Sequence, residues 1–238
     1  MTLNLTFDFA QVEWLFVFVG ATVALATLST VFILKALKFE KWQVRKLGHM
    51  LVHFVLAFYP YMFTYMISII ASIVIVSTFV VIISVIPPIR FLQRVYVECT
   101  REGEKIIELV LNTILTAFAV LLILFVFADK LYIFTAAILT VSLGDGMGEI
   151  IGRPYGRIRY KIFSEKSLEG SIFVFMGTFV SILVSFAYHS LLGLEGFWWK
   201  ALVLGLIGMV IEACNYKFLD NTILPLSIAF GLFLLFEM

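Results

Sequence analysis

The chain is poor in the residues on which soluble scaffolds and soluble catalytic sites are built. It has only two cysteines, Cys99 and Cys214, far apart and without CxxC spacing; this excludes a disulfide framework and a cysteine zinc site. Charged residues make up 14% of its 238 positions and the formal net charge is +1, where a soluble domain carries about 25% charged residues. Nothing in that balance calls for nucleic acid. There is no GxxxxGK[ST] run, no GxGxxG loop and no HExxH pair, which disfavours a P-loop, a protein-kinase-like phosphate loop and a zinc protease. Low-complexity segments and a soluble domain are absent as well.

What remains is apolar. Hydrophobic residues make up 62% of the chain, with 25 phenylalanines, and the mean hydropathy is +1.08. That leaves too little polar surface to cover a body in water, so the solvent for most of the chain is lipid. A hydrocarbon core about 30 Å thick needs ~20 apolar residues per helix. The apolar runs predict about eight spans: roughly 12–34, two within 47–89 joined by a hairpin at Tyr59-Pro60-Tyr61, then 106–128, 131–152, 171–192, 197–214 and 218–236. Pro225 is expected to kink or delay the last. The runs are continuous rather than alternating, so the expected fold is an all-α polytopic membrane protein and not a barrel. The first run is long and lacks a basic leader, as a retained span does.

Charge sets the orientation. Lys35, Lys38, Lys41, Arg45 and Lys46 follow span 1, and Arg90, Arg94, Arg101 and Lys105 follow span 3. Arg153, Arg157, Arg159, Lys161 and Lys166 follow span 5, and Lys217 follows span 7. Of the 17 basic residues only Lys130 and Lys200 fall on the other side. The positive-inside rule places the larger set in the cytoplasm and both termini on the non-cytoplasmic side.

Span 5 runs into Gly144-Asp145-Gly146-Met147-Gly148-Glu149-Ile150-Ile151-Gly152-Arg153-Pro154-Tyr155-Gly156-Arg157. Asp145, Glu149, Arg153 and Arg157 recur every four residues and share one stripe if the helix continues, although Pro154 is expected to end it near Arg153. Two carboxylates near a helix C-terminus oppose its dipole and call for a cation. Mg²⁺ held by Asp145 and Glu149 together with substrate phosphates answers that call. Gly144, Gly148, Gly152 and Gly156 keep the same period, which is equally the small-residue pattern of close helix packing, and Glu149 with Arg153 forms a favourable i,i+4 ion pair. Both readings stand on the spacing. Before span 6, Ser167 and Ser171 in Lys166-Ser167-Leu168-Glu169-Gly170-Ser171 are candidate helix caps, or Lys166 meets a phosphate and Gly170 allows close backbone approach.

These segments resemble the nucleotide-binding signature of the CTP-dependent lipid-alcohol kinases: the phytol, polyprenol and dolichol kinases, with yeast-type diacylglycerol kinases as relatives. Arg45-Lys46-x-x-His49 resembles the family's N-terminal block. Glu212, followed by Asp220-Asn221-x-x-x-Pro225, resembles its C-terminal block. The resemblance runs from about 45 to 238 within a single membrane-embedded kinase domain, and 1–44 adds a span and the first basic loop. Gly148 departs from the alanine more usual there; Glu149 leans toward the phytol kinases, while Lys166-Ser167-Leu168-Glu169-Gly170-Ser171 reads equally like the dolichol kinases.

The resemblance implies transfer of the CTP γ-phosphate to a lipid alcohol at the cytoplasmic face, with Mg²⁺ and CTP as the required companions. Asp145 then anchors the metal with Glu149 beside it. Arg153, Arg157 and Lys166 take phosphate oxygens, and Arg45 and Lys46 close the site from span 2. Gly144, Gly148, Gly152, Gly156, Ser167, Glu169, Gly170, Glu212 and Asn221 line the nucleotide site. His49 is the candidate general base and Asp220 its rival; His53 is read as a packed residue. The competing activities are a CTP-dependent diacylglycerol kinase, a CTP:lipid-phosphate cytidylyltransferase and, in another class, a small transporter. A transporter calls for midplane ionisable residues or broken paired helices, whereas here the polar residues crowd one membrane face.

Overall fold

The computed structural model describes residues 3–6, 8–85, 105–214 and 219–237. The chain divides into two compact units, Met1–Asp129 and Lys130–Met238. Each of the eight apolar runs carries a helix. Three of them, over Ile107–Val126, Leu131–Tyr155 and Leu168–Tyr188, are long and apolar enough to cross a membrane among the described residues. The basic segment containing Arg90, Arg94 and Arg101, and Lys217 with it, lies outside the described residues, as does Cys99.

In the first unit α1 is Trp14–Ala36, α2 Lys41–Phe58, α3 Met66–Val85 and α4 Ile106–Val126. α1 packs on α2 and α3, and α3 packs on α4. The hairpin expected at Tyr59-Pro60-Tyr61 is a 3₁₀ turn over Tyr59–Met62. Glu13 holds its far side by accepting from the Thr64 and Tyr65 backbone N–H groups at 3.0 and 3.1 Å. The Tyr59 hydroxyl hydrogen-bonds Ser72, and its ring lies where any side chain on Gly20 would have to go. α2 begins with a capping box in which the Glu40 N–H donates to Gln43 Oε1 at 2.9 Å.

In the second unit α5 spans Leu131–Tyr155. A two-stranded hairpin follows, with β1 Arg159–Lys161 antiparallel to β2 Glu165–Ser167. Then come α6 Leu168–Tyr188, α7 Phe197–Ala213 and α8 Asp220–Phe236. α5 and α7 are each packed by both α6 and α8. Every residue from Leu131 to Leu139 is buried, so α5 is the central helix of this unit. It is not regular: Thr140–Asp145 forms a π-helical turn between two α-helical stretches. At the end remote from Asp145, Glu237 closes the unit. Lys130 Nζ lies 2.5 Å from its carboxylate, the Tyr132 hydroxyl also donates to it, and Ser185 Oγ donates to the Tyr132 carbonyl at 2.7 Å.

Two sequence expectations are corrected. Pro154 does not stop α5 at Arg153. The helix reaches Tyr155, held by the Gly156 N–H on the Gly152 carbonyl at 3.2 Å. Pro225 does not delay α8, which begins at Asp220 and carries the proline inside its second turn; the missing N–H removes one i→i−4 bond near the helix start. The described residues are mostly helical, as the all-α expectation has it, and the short β-hairpin is an addition that expectation did not include. The hairpin's signal lay in Arg157-Ile158-Arg159-Tyr160-Lys161-Ile162, a strict polar–apolar alternation.

Candidate active site

The site grows from the α5 π-turn. A π turn holds one more residue than an α turn, and such turns are frequent at functional sites. This one is packed by α6 and α8 and ends at Asp145, whose residue surface is only 5% exposed. Glu149 follows one α-turn later and is half-buried; Arg153 follows one turn further and is exposed. These three keep the predicted stripe. Arg157 does not share it, because α5 ends at Tyr155 and Gly156 turns extended. Since the helix outlasts Asp145 by ten residues and Glu149 by six, neither carboxylate lies in its last turn, and the opposing dipole is weaker than the sequence implied.

The four-residue glycine period is a packing surface in the structure. A Cβ on Gly148 would meet the Val174 side chain and the Gly170 carbonyl. One on Gly152 would lie 2.9 Å from the Gly170 Cα and from Ser167 Oγ, and one on Gly144 would lie 2.9 Å from the Thr178 hydroxyl. Gly156 fits against Gly152 and Ser167 in the same way. From the other side, a Cβ on Gly170 would strike the Gly148 carbonyl, and one on Gly177 would come within 2.5 Å of the Leu143 carbonyl oxygen. Backbone thus meets backbone along α5 and α6, the geometry that small residues allow. The consequence for the site is positional: the start of α6 and the hairpin before it are drawn against the last turns of α5.

The Lys166–Ser171 motif fastens that corner. Ser167 caps α6, accepting from the Gly170 N–H at 3.1 Å and donating to the Gly152 carbonyl at 3.2 Å. Ser171 Oγ donates to the Ser167 carbonyl at 3.1 Å and meets the Tyr160 hydroxyl at 2.5 Å. The Glu169 carboxylate accepts from the Ile158 N–H. Lys166 forms an ion pair with Glu212, which is buried late in α7. Arg159 Nη2 donates to the Arg153 carbonyl at 3.1 Å. Sequence reasoning missed Tyr160 and Thr178. Thr178 is buried at the α5–α6 contact, and its hydroxyl has no hydrogen-bond partner.

Within the second unit the structure thus sets Asp145, Glu149 and Arg153 along the last turns of α5, and fastens Ser167 and Gly170 to Gly152, Glu169 to Ile158 and Lys166 to Glu212. Asn221 is buried in the first turn of α8. Asp220 opens that helix, and its side chain lies outside the described residues. Arg45, Lys46 and His49 stand on α2 in the first unit, with Lys46 fully buried. His53 Nδ1 is 2.9 Å from the His49 carbonyl, and the two ring centroids lie 4.1 Å apart with the rings tilted by 42°. Among the described residues no group of three or more His, Cys, Asp or Glu side chains is placed to hold a metal. A site of Asp145 and Glu149 alone fits Mg²⁺ only with phosphate oxygens completing the shell, which is how Mg²⁺ is usually held beside nucleotides.

A central, buried helix that carries two acids and an exposed arginine along its last three turns, beside a basic hairpin, marks a mostly helical membrane protein with charged residues gathered toward one end of that helix. Among curated proteins the chain is similar to probable chloroplastic phytol kinases. It is 29% identical to that of Triticum aestivum over 144 residues, 58% of this chain and 48% of the relative. It is 31% identical to that of Zea mays over 145 residues, 58% and 48%, and 31% identical to that of Oryza sativa over 144 residues, 58% and 46%. The chain spans about half the length of these curated relatives. The resemblance to phytol kinases read from the motifs is the one these relatives carry. No protein-family model and no solved structure matches the chain.

Proposed function

We propose that the chain is a multi-pass membrane kinase that transfers the γ-phosphate of CTP to the hydroxyl of an isoprenoid alcohol, with phytol the first candidate. In this reading all eight helices cross the bilayer, both termini lie on the non-cytoplasmic side, and the site faces the cytoplasm. The observation that carries it is the α5 end: buried Asp145 in a π-turn, then Glu149, then exposed Arg153 and Arg157, in a chain similar to phytol kinases. The alcohol's hydroxyl oxygen forms a bond to the γ-phosphorus, the bond from that phosphorus to the bridging oxygen breaks, CDP leaves, and the hydroxyl proton passes to water. Little covalent chemistry is asked of the protein; positioning and charge neutralisation carry the step.

Asp145 and Glu149 would hold Mg²⁺, which supplies charge neutralisation on the transferred phosphate. Arg153 and Arg157, both exposed, hold phosphate oxygens. Lys166 and Glu212 fix the hairpin over the end of α5, a positioning role set by their ion pair. Arg45, Lys46 and His49 belong to the other unit and carry no weight in this reading.

The test supplies purified protein with γ-labelled CTP or ATP, Mg²⁺, and phytol, geranylgeraniol, dolichol or diacylglycerol. Label in an isoprenoid alcohol with CTP supports the proposal, and label in diacylglycerol alone reassigns the acceptor. Incorporation from α-labelled CTP into a lipid phosphate, with none from γ-labelled CTP, would make the protein a cytidylyltransferase. Failure of all acceptors, with no nucleotide bound, overturns it.

A further inference from the structure

The β1–β2 hairpin ends in residues that neither the packing nor the phosphate chemistry uses. Its base is fixed: the Leu168 N–H donates to the Ile158 carbonyl at 2.9 Å, Tyr160 meets Ser171 and Lys166 pairs with Glu212. Its tip is bare, with Ile162 50% and Phe163 61% exposed. A lone two-stranded hairpin is marginal in water, and turns that face water favour Gly, Pro, Asn, Asp or Ser. This tip, Ile162-Phe163-Ser164, has one such residue and beside it presents two large apolar side chains. Beside them on β1 Lys161 is exposed, and Arg159, two residues earlier on the same face and opposite Ser167, is exposed too, with one guanidinium nitrogen donating to the Arg153 carbonyl and its other N–H groups left for a further acceptor. Glu165, opposite Lys161 in the register, offsets part of that charge.

α6 shows where lipid lies. Leu168, Ile172, Met176 and Val180 are 43%, 45%, 46% and 40% exposed, and at four-residue spacing they form one stripe. α6 is long and apolar enough to cross a membrane, so an exposed apolar stripe on it is surface given to acyl chains. The hairpin's last residue, Ser167, directly precedes the first residue of that stripe. Basic side chains beside apolar ones at the end of a span are the composition of an interfacial anchor.

We propose that this hairpin is such an anchor: Ile162 and Phe163 enter the headgroup–acyl boundary of an anionic leaflet, and Arg159 and Lys161 bind lipid phosphates. The inference stands apart from the kinase reading, since it uses no residue assigned to phosphoryl transfer.

The test uses the full chain with Cys99→Ser and Cys214→Ser, an environment-sensitive fluorophore on Phe163→Cys or, as control, on Glu165→Cys. The protein is reconstituted in vesicles of phosphatidylcholine alone or mixed with phosphatidylglycerol. The fluorophore at position 163 is expected to emit as in an apolar medium and to be quenched by nitroxide lipids, while that at 165 emits as in water. In the mixed vesicles, Arg159→Gln and Lys161→Gln are each expected to lower the ratio of inserted to withdrawn tip by roughly fivefold. Aqueous, unquenched emission at position 163 in the mixed vesicles overturns the anchor. Insertion that is equal in both lipid mixtures and unmoved by the two substitutions overturns the assignment of the basic pair to headgroups.

Discussion

Alanine in place of Gly177 perturbs the helix contact on which the Asp145 position rests. The new Cβ would lie 2.5 Å from the Leu143 carbonyl oxygen, 2.7 Å from its carbon and 2.8 Å from the Gly144 Cα. Ordinary contact begins near 3.4 Å, so α5 and α6 must part locally by about 0.9 Å, and no flexible side chain can give way instead. Overpacking of this kind costs about 1–3 kcal/mol, and alanine recovers about 1 kcal/mol of helix propensity. The net loss is about 1 kcal/mol, or roughly 2–4 °C in unfolding temperature for a chain of this size.

The effect on chemistry is expected to be larger. Leu143 and Gly144 belong to the π-turn that ends at Asp145, and misplacing a reacting group by about 1 Å costs on the order of 100-fold in rate. Gly193→Ala is the control, since nothing lies within 4 Å of a Cβ there. Heat unfolding in detergent followed by tryptophan fluorescence, with phosphate transfer measured on the same preparations, reads both quantities. A Gly177→Ala protein with wild-type unfolding temperature and wild-type transfer would refute the coupling between this contact and the site.

Lys166→Met breaks the ion pair to buried Glu212 and is expected to destabilise by about 3 kcal/mol; the double variant Lys166→Met, Glu212→Met should lose less, and equal losses in heat unfolding would show that the pair is not coupled. Ser167→Ala removes the α6 cap and is expected to cost about 1 kcal/mol in the same assay. The hydrogen bond from Lys130, and then that from Tyr132, hold the Glu237 carboxyl below its ordinary range. Its contribution to stability is therefore full above the ordinary carboxylate value of about 4.3 and is lost as pH falls through the lower folded value. Glu237→Gln should flatten that acid limb in unfolding temperature measured against pH, and an unchanged limb would remove Glu237 from the account.

The helices were legible because lipid allows few other backbone solutions: each apolar run had to close its own hydrogen bonds, and the interruptions at Tyr59-Pro60 and at the basic segments marked the ends. The Asp145, Glu149, Arg153 spacing was legible for the same reason, since a helix projects every fourth residue to one side. Arg157 left that stripe because the helix stops at Tyr155, a boundary set by Gly156 and the hairpin beyond it. The glycine period could not be decided locally. Its partners, Gly170, Val174, Gly177 and Thr178, lie on another helix, and only the packed pair shows that the glycines meet backbone. The π-turn left no mark of its own in the sequence, because Thr-Val-Ser-Leu-Gly-Asp over Thr140–Asp145 reads equally as a turn of ordinary α-helix. The hairpin did leave one, in alternating Arg157–Ile162, but the five basic residues of 153–166 point equally to topology and phosphate binding.

The central claim is that phosphoryl transfer occurs at the α5 end and depends on the Asp145 charge. The most direct measurement is transfer from γ-labelled CTP to phytol by wild type and by Asp145→Asn, with heat unfolding recorded on both. The account expects labelled phytyl phosphate from wild type and at least a ~100-fold lower rate from Asp145→Asn, with unfolding temperatures that agree. Transfer by Asp145→Asn at the wild-type rate would contradict it.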